Sequence, residues 1–406
     1  MYQITKASLM TRSTAQAAGT PCPPLIGPGR LGGNTSRATV DSFARLVING
    51  PQARRGTAAP LEGAASTRSS GMRAGGGLER AISTVLVTGG AGYIGSHAAW
   101  ALHDAGYRLV IIDDLSTGVR ANMPPAAAFH EATLAAVNIA EFMHSQQIGA
   151  VMHFAGSIVV PESVENPFKY YSNNTQNSLA IMRAAAAKGA AFIFSSTAAV
   201  YAPTARGPLS EDAELRPLSP YGRSKLMTEQ MLQDAATAYG LRYVALRYFN
   251  VAGADPNGRT GQSTPDATHL IKVACQTALG RRSRLQVFGR DYDTPDGTCV
   301  RDYIHVSDLA DAHLCALRHL ADGGNSEVLN CGYSRGASVF EVVEAVRRVS
   351  GAPLPLEDAP RRPGDAPFVV ADNSKIRRLI PNWRPRFMDL DVIVESALRW
   401  ERGLQV

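Results

Sequence analysis

The sequence predicts a doubly wound, parallel α/β sheet of the Rossmann type with a smaller C-terminal substrate-binding part. Three observations predict it. The segment "STVLVTGGAGYIGSHAAWALHDAGYRLVIIDDL" runs from an apolar β-branched strand through a glycine-rich turn and a helix into a second strand. Short apolar runs recur after it and alternate with helical stretches, the order of a parallel sheet with helices on both faces. Chemically useful residues close these runs, at the strand ends where open α/β sheets bind ligands.

The first unit carries the phosphate signature. Gly90, Gly92 and Gly95 satisfy G-x-G-x-x-G, and Gly89 adds a fourth glycine. Glycines permit the tight turn and the close approach of backbone to a pyrophosphate. The helix starting near Tyr93 then aims its first N–H groups at the phosphate charge. Asp113 closes the second strand, 18 residues after Gly95. An acid there holds the adenosine ribose hydroxyls and favours NAD over NADP. A bare glycine motif is weak; between strand and helix, with the acid at this distance, it is specific.

The runs "AVMHFAG" (Ala150 to Gly156), "AFIFSS" (Ala191 to Ser196) and "YVALRYFN" (Tyr243 to Asn250) read as buried parallel strands. Helical stretches lie between them, including Asn177 to Lys188 and Ser219 to Tyr239. Thr197 falls at a strand end. The helix after it begins "SPYGRSKLMTEQML" and sets Tyr221 and Lys225 one turn apart on one face. YxxxK occurs by chance in many helices; its placement after the Thr197 strand end gives it meaning.

A free phenol titrates near ~10 and is a poor base at neutral pH. The Lys225 ammonium is expected to lower that value and to hold the nicotinamide ribose. Oxidising an alcohol needs a base for the proton and an acceptor for the hydride. Tyr221 suits the base, and Thr197 suits a hydrogen bond to the reacting oxygen. No metal is required, and the histidines show no ligand spacing. His97 reads as surface or packing, and His153 as a core histidine with its hydrogen bonds met.

Composition sets the outer limits. The 406 residues suffice for two or more domains, at an ordinary 45% hydrophobic and 19% charged. No run of ~20 apolar residues predicts a membrane span. The five cysteines form no CxxC, which argues against a disulfide framework or zinc ribbon and for a reducing compartment.

The net charge of +6 is concentrated at one end. Residues 1–80 carry ten Lys/Arg against three Asp/Glu, which leaves 31 basic and 32 acidic residues elsewhere. A nearly neutral body gives no support to a nucleic-acid partner. Residues 1–80 are rich in Ala, Gly, Ser, Thr, Pro and Arg and read as a disordered extension, with a short helix at Asp41 to Gly50. An over-extended start ahead of Met72 is the favoured reading of this segment. A transit peptide and a tail for an acidic partner are its rivals. Cytoplasmic location is expected, with an organelle as the alternative.

From about Val85 onward the chain resembles the UDP-glucose 4-epimerase family of extended short-chain dehydrogenase/reductases. The resemblance rests on "VTGGAGYIGSH", "HFAG", "PESVENPFKYYSNN", "SPYGRSKLMTEQ", "LRYFNVAGADP", "FGRDYDTPDGTCVRDYIHVSDLADAH" and "RRPGDAPFVVAD". It implies retained NAD, oxidation and re-reduction at sugar C4 through a 4-ketose, and interconversion of UDP-galactose and UDP-glucose. Gly89, Gly92, Tyr93, Ile94, Gly95, Asp113, Phe154, Ala155, Gly156, Asn173, Lys225 and Tyr248 fall at its NAD-binding positions. Thr197, Tyr221, Asn250, His269, Arg301, Arg362, Asp365 and Val369 fall at its substrate positions. Arginine suits a diphosphate because its fork donates in pairs.

The chain departs from the family pattern in places. Thr197 stands where many members have serine, and His269 where asparagine is common. Ile158 replaces a lysine found near the cofactor in some. Thr133 stands where an acid helps to hold the adenine, which weakens the expected grip on NAD. Val369 matches a position where some members have a tyrosine closing the sugar pocket. Its smaller size predicts slow turnover of UDP-N-acetylglucosamine.

The resemblance divides the body into an NAD-binding part, 81–255, and a UDP-sugar part, 256–406, with "EVLNCG" returning to the main sheet. It also implies a homodimer through helices around Asn166 to Lys188 and Pro220 to Tyr239. A 4,6-dehydratase would need an acid pair after Thr197, where Ala198 and Ala199 stand. A cofactor-releasing reductase, a non-catalytic NAD sensor and an epimerase of UDP-glucuronate or a UDP-pentose are the other readings.

Overall fold

The computed structural model describes residues 82–203, 207–264, 267–362 and 364–404. The readings of residues 1–80 lie outside the described residues. The described residues all lie in one compact unit.

The first half alternates strand and helix: β1 (Thr84–Thr88), α1 (Tyr93–Asp104), β2 (Arg108–Asp113), β3 (Ala128–Glu131), α2 (Ile139–Ser145) and β4 (Ala150–His153). Two short helices follow, α3 (Val160–Glu165) and α4 (Pro167–Tyr170). A π-helical turn over Tyr171–Gln176 then leads into α5 (Asn177–Lys188). β5 (Ala191–Thr197), α6 (Pro220–Tyr239), β6 (Tyr243–Tyr248) and β7 (Asn250–Ala252) complete this half.

The main sheet is parallel throughout, in the order β3-β2-β1-β4-β5-β6 with one further strand at its edge. The order reverses between β1 and β4, which opens a crevice at their carboxyl ends. Both faces are covered, so strand residues alternate between two cores rather than between core and water. Val85 and Val87 face one hydrophobic cluster; Leu86 faces the other, with Met143, Ile181 and Leu232.

The helix that carries the tyrosine and lysine is well delimited. Ser219 caps α6 by accepting the Gly222 N–H at 3.1 Å, and Pro220 opens its first turn. Gly240 ends it in the left-handed conformation, φ 67°.

The second half begins with α7 (Leu270–Ala278), β8 (Leu285–Phe288), β9 (Val300–His305), α8 (Val306–Ala321) and β10 (Glu327–Cys331). It ends with β11 (Gly336–Ser338), α9 (Val339–Ser350), β12 (Leu356–Ala359), β13 (Phe368–Val369), α10 (Ser374–Leu379) and α11 (Leu390–Gly403). β10 pairs with β6 as the edge strand of the main sheet, and α8 packs against α1. The chain therefore returns to the dinucleotide layer with a helix as well as a strand.

Beside that layer, β9 is flanked by β11 and β13 and pairs with β7, while β12 pairs with β8. These small sheets carry the second wall of the site. No described helix is long and apolar enough to cross a membrane.

Candidate active site

The glycine turn is shaped by the absence of side chains. Gly89 has φ +71°, and a Cβ on it would lie 2.6 Å from the Ala155 nitrogen across the β1–β4 crevice. A Cβ on Gly95 would lie 2.1 Å from the Gly89 carbonyl oxygen. Gly92 caps α1 in extended backbone, with no side chain between the first helical N–H groups and the crevice. This is a backbone cradle of the kind that takes a pyrophosphate.

Asp113 ends β2 against that turn. Its Oδ2 accepts the Ala91 N–H at 2.9 Å, and its Oδ1 accepts the Leu115 N–H at 2.8 Å. Burial raises its pKa, and these N–H bonds pull it back. A carboxylate oxygen has more than one acceptor site, so ribose hydroxyls can share it. Gly118 lets the loop pass against this acid: a Cβ there would lie 2.8 Å from Oδ1. Thr133 is exposed at the start of a short turn over Leu134–Ala136, and Ile158 is exposed beyond β4.

Tyr93 and Ile94 point elsewhere. The Tyr93 hydroxyl donates to the Gly253 carbonyl at 2.7 Å, and Ile94 packs on the core. Any role for them in the cradle falls to their backbone N–H groups.

Across the crevice, the Phe154 and Ala155 N–H groups both donate to the Thr88 carbonyl. The Phe154 ring packs on His313, with centroids 4.8 Å apart. A Cβ on Gly156 would lie 2.9 Å from Asn174 Oδ1 and 3.9 Å from Lys225 Nζ. The backbone thus passes directly beside the lysine. Asn173 and Asn174 sit in the π turn, a distortion that often marks a functional segment. Asn173 donates to the Ser157 hydroxyl at 3.0 Å, and Asn174 to Ser224 at 3.0 Å.

The candidate reacting groups stand together where β5 ends and α6 begins. Tyr221, Lys225 and Thr197 are 7%, 3% and 8% exposed. Thr197 Oγ1 accepts the Ala199 N–H at 3.1 Å, which leaves its proton to be donated into the site. The Tyr170 ring meets Tyr221 edge-on at 6.4 Å. Tyr248 shares a 2.7 Å hydrogen bond with the Ser195 hydroxyl.

The electrostatics correct one expectation. Lys225 was expected to lower the Tyr221 pKa, yet burial raises it and only the Thr197 hydroxyl draws it back. Desolvation outweighs the opposing hydrogen bond at this buried phenol. Lys225 Nζ donates to the Ser195 carbonyl at 2.9 Å and lies 4.9 Å over the Phe194 ring. Burial lowers Lys225 itself to about 8, with Glu229 opposing the shift.

That shift has a measurable sign. Below about pH 8 the folded and unfolded chains both hold the lysine proton, and its burial costs stability in full. Between about 8 and 10.5 the unfolded chain keeps the proton that the folded chain has released, so stability rises with pH. The cost at pH 7 is on the order of ~3 kcal/mol. Lys225→Met is expected to be stabilised relative to wild type at pH 7.5, with the difference shrinking by pH 10. Urea melts that stay parallel across this range would exclude the effect.

His153 and His97 are both buried. His153 is paired at both nitrogens, with Thr88 at 2.6 Å and Ser178 at 2.8 Å, and burial lowers it to about 3. It is a core histidine, as its place in a strand suggested.

A second cleft of about 840 Å³ gathers Asn250, His269, Arg301, Arg362 and Asp365. Asn250 lies on β7, and Arg301 on the β9 strand that pairs with it. Arg301 Nη2 donates to Asp365 at 2.7 Å. The Arg362 guanidinium stacks on Phe288, 3.8 Å above its ring. His269 precedes the first turn of α7, its Nδ1 3.5 Å from the Gln262 amide. Burial and Lys272 lower its pKa, so it is a neutral donor.

Thr197 and Tyr221 do not line this cleft. Val369 pairs in register with Arg301 and packs in a small cluster with Val200, Ala198 and Leu226. Several contributors were not singled out from sequence: Ser195, Asn174, Gly118, and a buried Glu229–Arg247 pair. Only Glu229 left a signal, standing one helical turn beyond Lys225 on the same face.

A dinucleotide cradle, a buried tyrosine–lysine–threonine set and an arginine-lined cleft define a Rossmann-fold enzyme of the short-chain dehydrogenase type. Residues 85–332 match the NAD dependent epimerase/dehydratase family. The chain belongs to that family. It is 59% identical to the UDP-glucose 4-epimerase of Azospirillum brasilense over 323 residues, which are 79% of this chain and 92% of that one.

Solved structures agree. The UDP-glucose 4-epimerase of Brucella ovis in complex with NAD superposes with a TM-score of 0.75 at 43% identity, over 79% of this chain and 99% of that one. The UDP-Glc/GlcNAc 4-epimerase of Campylobacter jejuni gives 0.70 at 44% identity, over 79% and 100%.

Proposed function

We propose that this protein interconverts UDP-galactose and UDP-glucose by inverting C4 of the sugar with retained NAD. The observation that carries the reading is the burial of Tyr221, Lys225 and Thr197 together at the end of β5. When bound, NAD supplies a reversible acceptor for the C4 hydride, so the reaction has no net redox change. Gly89, Gly92, Gly95 and Asp113 would hold its adenosine and pyrophosphate. Phe154, Ala155, Gly156, Asn173, Tyr248 and Lys225 would enclose its other end.

The chain's own groups handle the proton. Thr197 donates to the sugar 4-oxygen while Tyr221 accepts the hydroxyl proton. The 4-ketose turns about its link to UDP, and Tyr221 returns the proton once the opposite face is presented. The protein alone keeps Tyr221 protonated by burial, and the Thr197 hydroxyl is the chain's own draw toward its base form. Arg301, Arg362, Asn250 and His269 would hold the diphosphate, and Asp365 a ribose hydroxyl, while the sugar moves.

The test is to give purified protein UDP-galactose without added NAD. Accumulation of UDP-glucose supports the reading. Silence that persists with added NAD would overturn it.

Residues 81–255 would hold the dinucleotide and 256–406 the UDP-sugar. Exposed Val160, Val164 and Phe168, at 43%, 63% and 81%, stand on the short helices before α5, with Leu179 and Met227 exposed on α5 and α6. We assign this face to a homodimer; a monomer by light scattering would exclude it. Cys275, Cys299, Cys315 and Cys331 are free thiols, which supports a reducing compartment and a cytoplasmic enzyme.

Val369 tunes substrate size in this reading. UDP-N-acetylglucosamine should turn over slowly, and Val369→Ala should raise its kcat/KM roughly 5- to 150-fold, since a change of a methylene or so in a pocket shifts discrimination by about 1–3 kcal/mol. Equal exclusion by wild type and variant would rule out this gate.

A further inference from the structure

Glu229 and Arg247 form an ion pair in the interior beside the reacting groups. Their side chains are 1% and 4% exposed. Arg247 Nε donates to Oε1 at 3.0 Å and Nη2 to Oε2 at 2.7 Å, a fork-to-fork geometry. Each partner is also bound elsewhere. The Ser196 hydroxyl donates to Glu229, and Arg247 Nη1 donates to the Tyr201 hydroxyl at 2.9 Å. Tyr201 in turn donates to Asn330 at 2.7 Å on the edge strand β10.

Stability does not explain this network. Replacing a buried ion pair by apolar side chains of like volume is often neutral or stabilising, because desolvation consumes the Coulombic gain. Its position does suggest a use. Ser196 precedes Thr197, and Glu229 follows Lys225 by one turn. Thr197 and Tyr221 belong to separate elements, and the pair is bonded to both. A second tie, Lys225 Nζ to the Ser195 carbonyl, runs beside it.

We propose that Glu229, paired with Arg247, is a positioning residue: it locks the end of β5 to α6 and provides the carboxylate that supports the buried Lys225 ammonium. The inference rests on the C4-epimerisation reading. Around Lys225 stand His153 on β4, the Ser195 carbonyl and Phe194 ring on β5, and Glu229 one turn on along its own helix. Glu229 alone among these groups carries negative charge, and it opposes the loss of the lysine proton.

The experiment compares NAD-loaded wild type, Glu229→Gln and the apolar double variant Glu229→Leu with Arg247→Leu. Stability by urea melts, and kcat and KM for UDP-galactose from pH 6 to 9.5, are the readouts. Glu229→Gln is expected to lose about 10- to 100-fold in kcat, the scale of a small misplacement of reacting groups, with KM nearly unchanged. The alkaline fall of kcat should move to lower pH, since Lys225 then deprotonates sooner.

The double variant should melt near wild type yet keep the kcat defect. Wild-type kcat and pH profile in either folded variant would overturn the proposal and leave the pair a structural one. Wild-type protein silent on UDP-galactose would overturn the functional reading and this inference with it.

Discussion

Tyr221→Phe lowers the conversion of UDP-galactose by about 10²- to 10⁴-fold, the contribution of a positioned general base. The substitution removes one oxygen and leaves the ring, which is buried and meets Tyr170 edge-on at 6.4 Å. Thr197 keeps its bond from the Ala199 N–H, so the strand end is not disturbed. The loss should therefore appear in kcat, with KM, retained NAD and the melting curve close to wild type. Activity within tenfold of wild type would move the base to another group, with Tyr248 next in line.

Gly95→Ala gives a protein that purifies without its cofactor. A Cβ at this position would stand 2.1 Å from the Gly89 carbonyl oxygen and 3.1 Å from the Gly90 Cα. Both contacts are backbone, so no side chain can swing away. The turn itself must open, and the N–H groups of α1 lose their aim. Overpacking of this kind costs about 1–3 kcal/mol; taken from cofactor affinity, that is roughly a 5- to 150-fold loss. Acid release of nucleotide from the purified variant measures it. Wild-type retention of NAD would show that the cradle tolerates the shift.

The two predictions differ in how readily sequence yields them. The glycine turn is local: strand, turn, helix and acid lie within about thirty residues, and each is dictated by backbone geometry. Tyr221 and Lys225 share a face because helical period alone brings residues four apart together. Thr197 was legible because a run of buried residues ends there. The residues proposed to hold the UDP-sugar could be singled out only through the resemblance, since Asn250, Arg301 and Arg362 have no local reason to meet.

Charge was the least legible property. A lysine near a phenol was read as lowering its pKa, but burial dominates at Tyr221 and the Lys225 ammonium faces the Ser195 carbonyl. The sign of such a shift depends on depth and direction, neither of which spacing encodes. Gly118 escaped notice for a similar reason. It abuts Asp113 through a loop, and nothing in its neighbours marks the approach.

By itself, the order of residues determined the alternation of strands and helices, the phosphate turn, the acid after it and the tyrosine–lysine face. These follow from hydrophobic period and backbone sterics acting over short stretches of chain. Tertiary structure alone decided that α8 packs back against α1, that β7 and β9 bring Asn250 beside Arg301, and that Glu229 finds Arg247. Such contacts join residues far apart in the chain. They form because the sheet must bury both faces and an interior charge must meet its opposite, conditions that exist only once the chain has closed on itself.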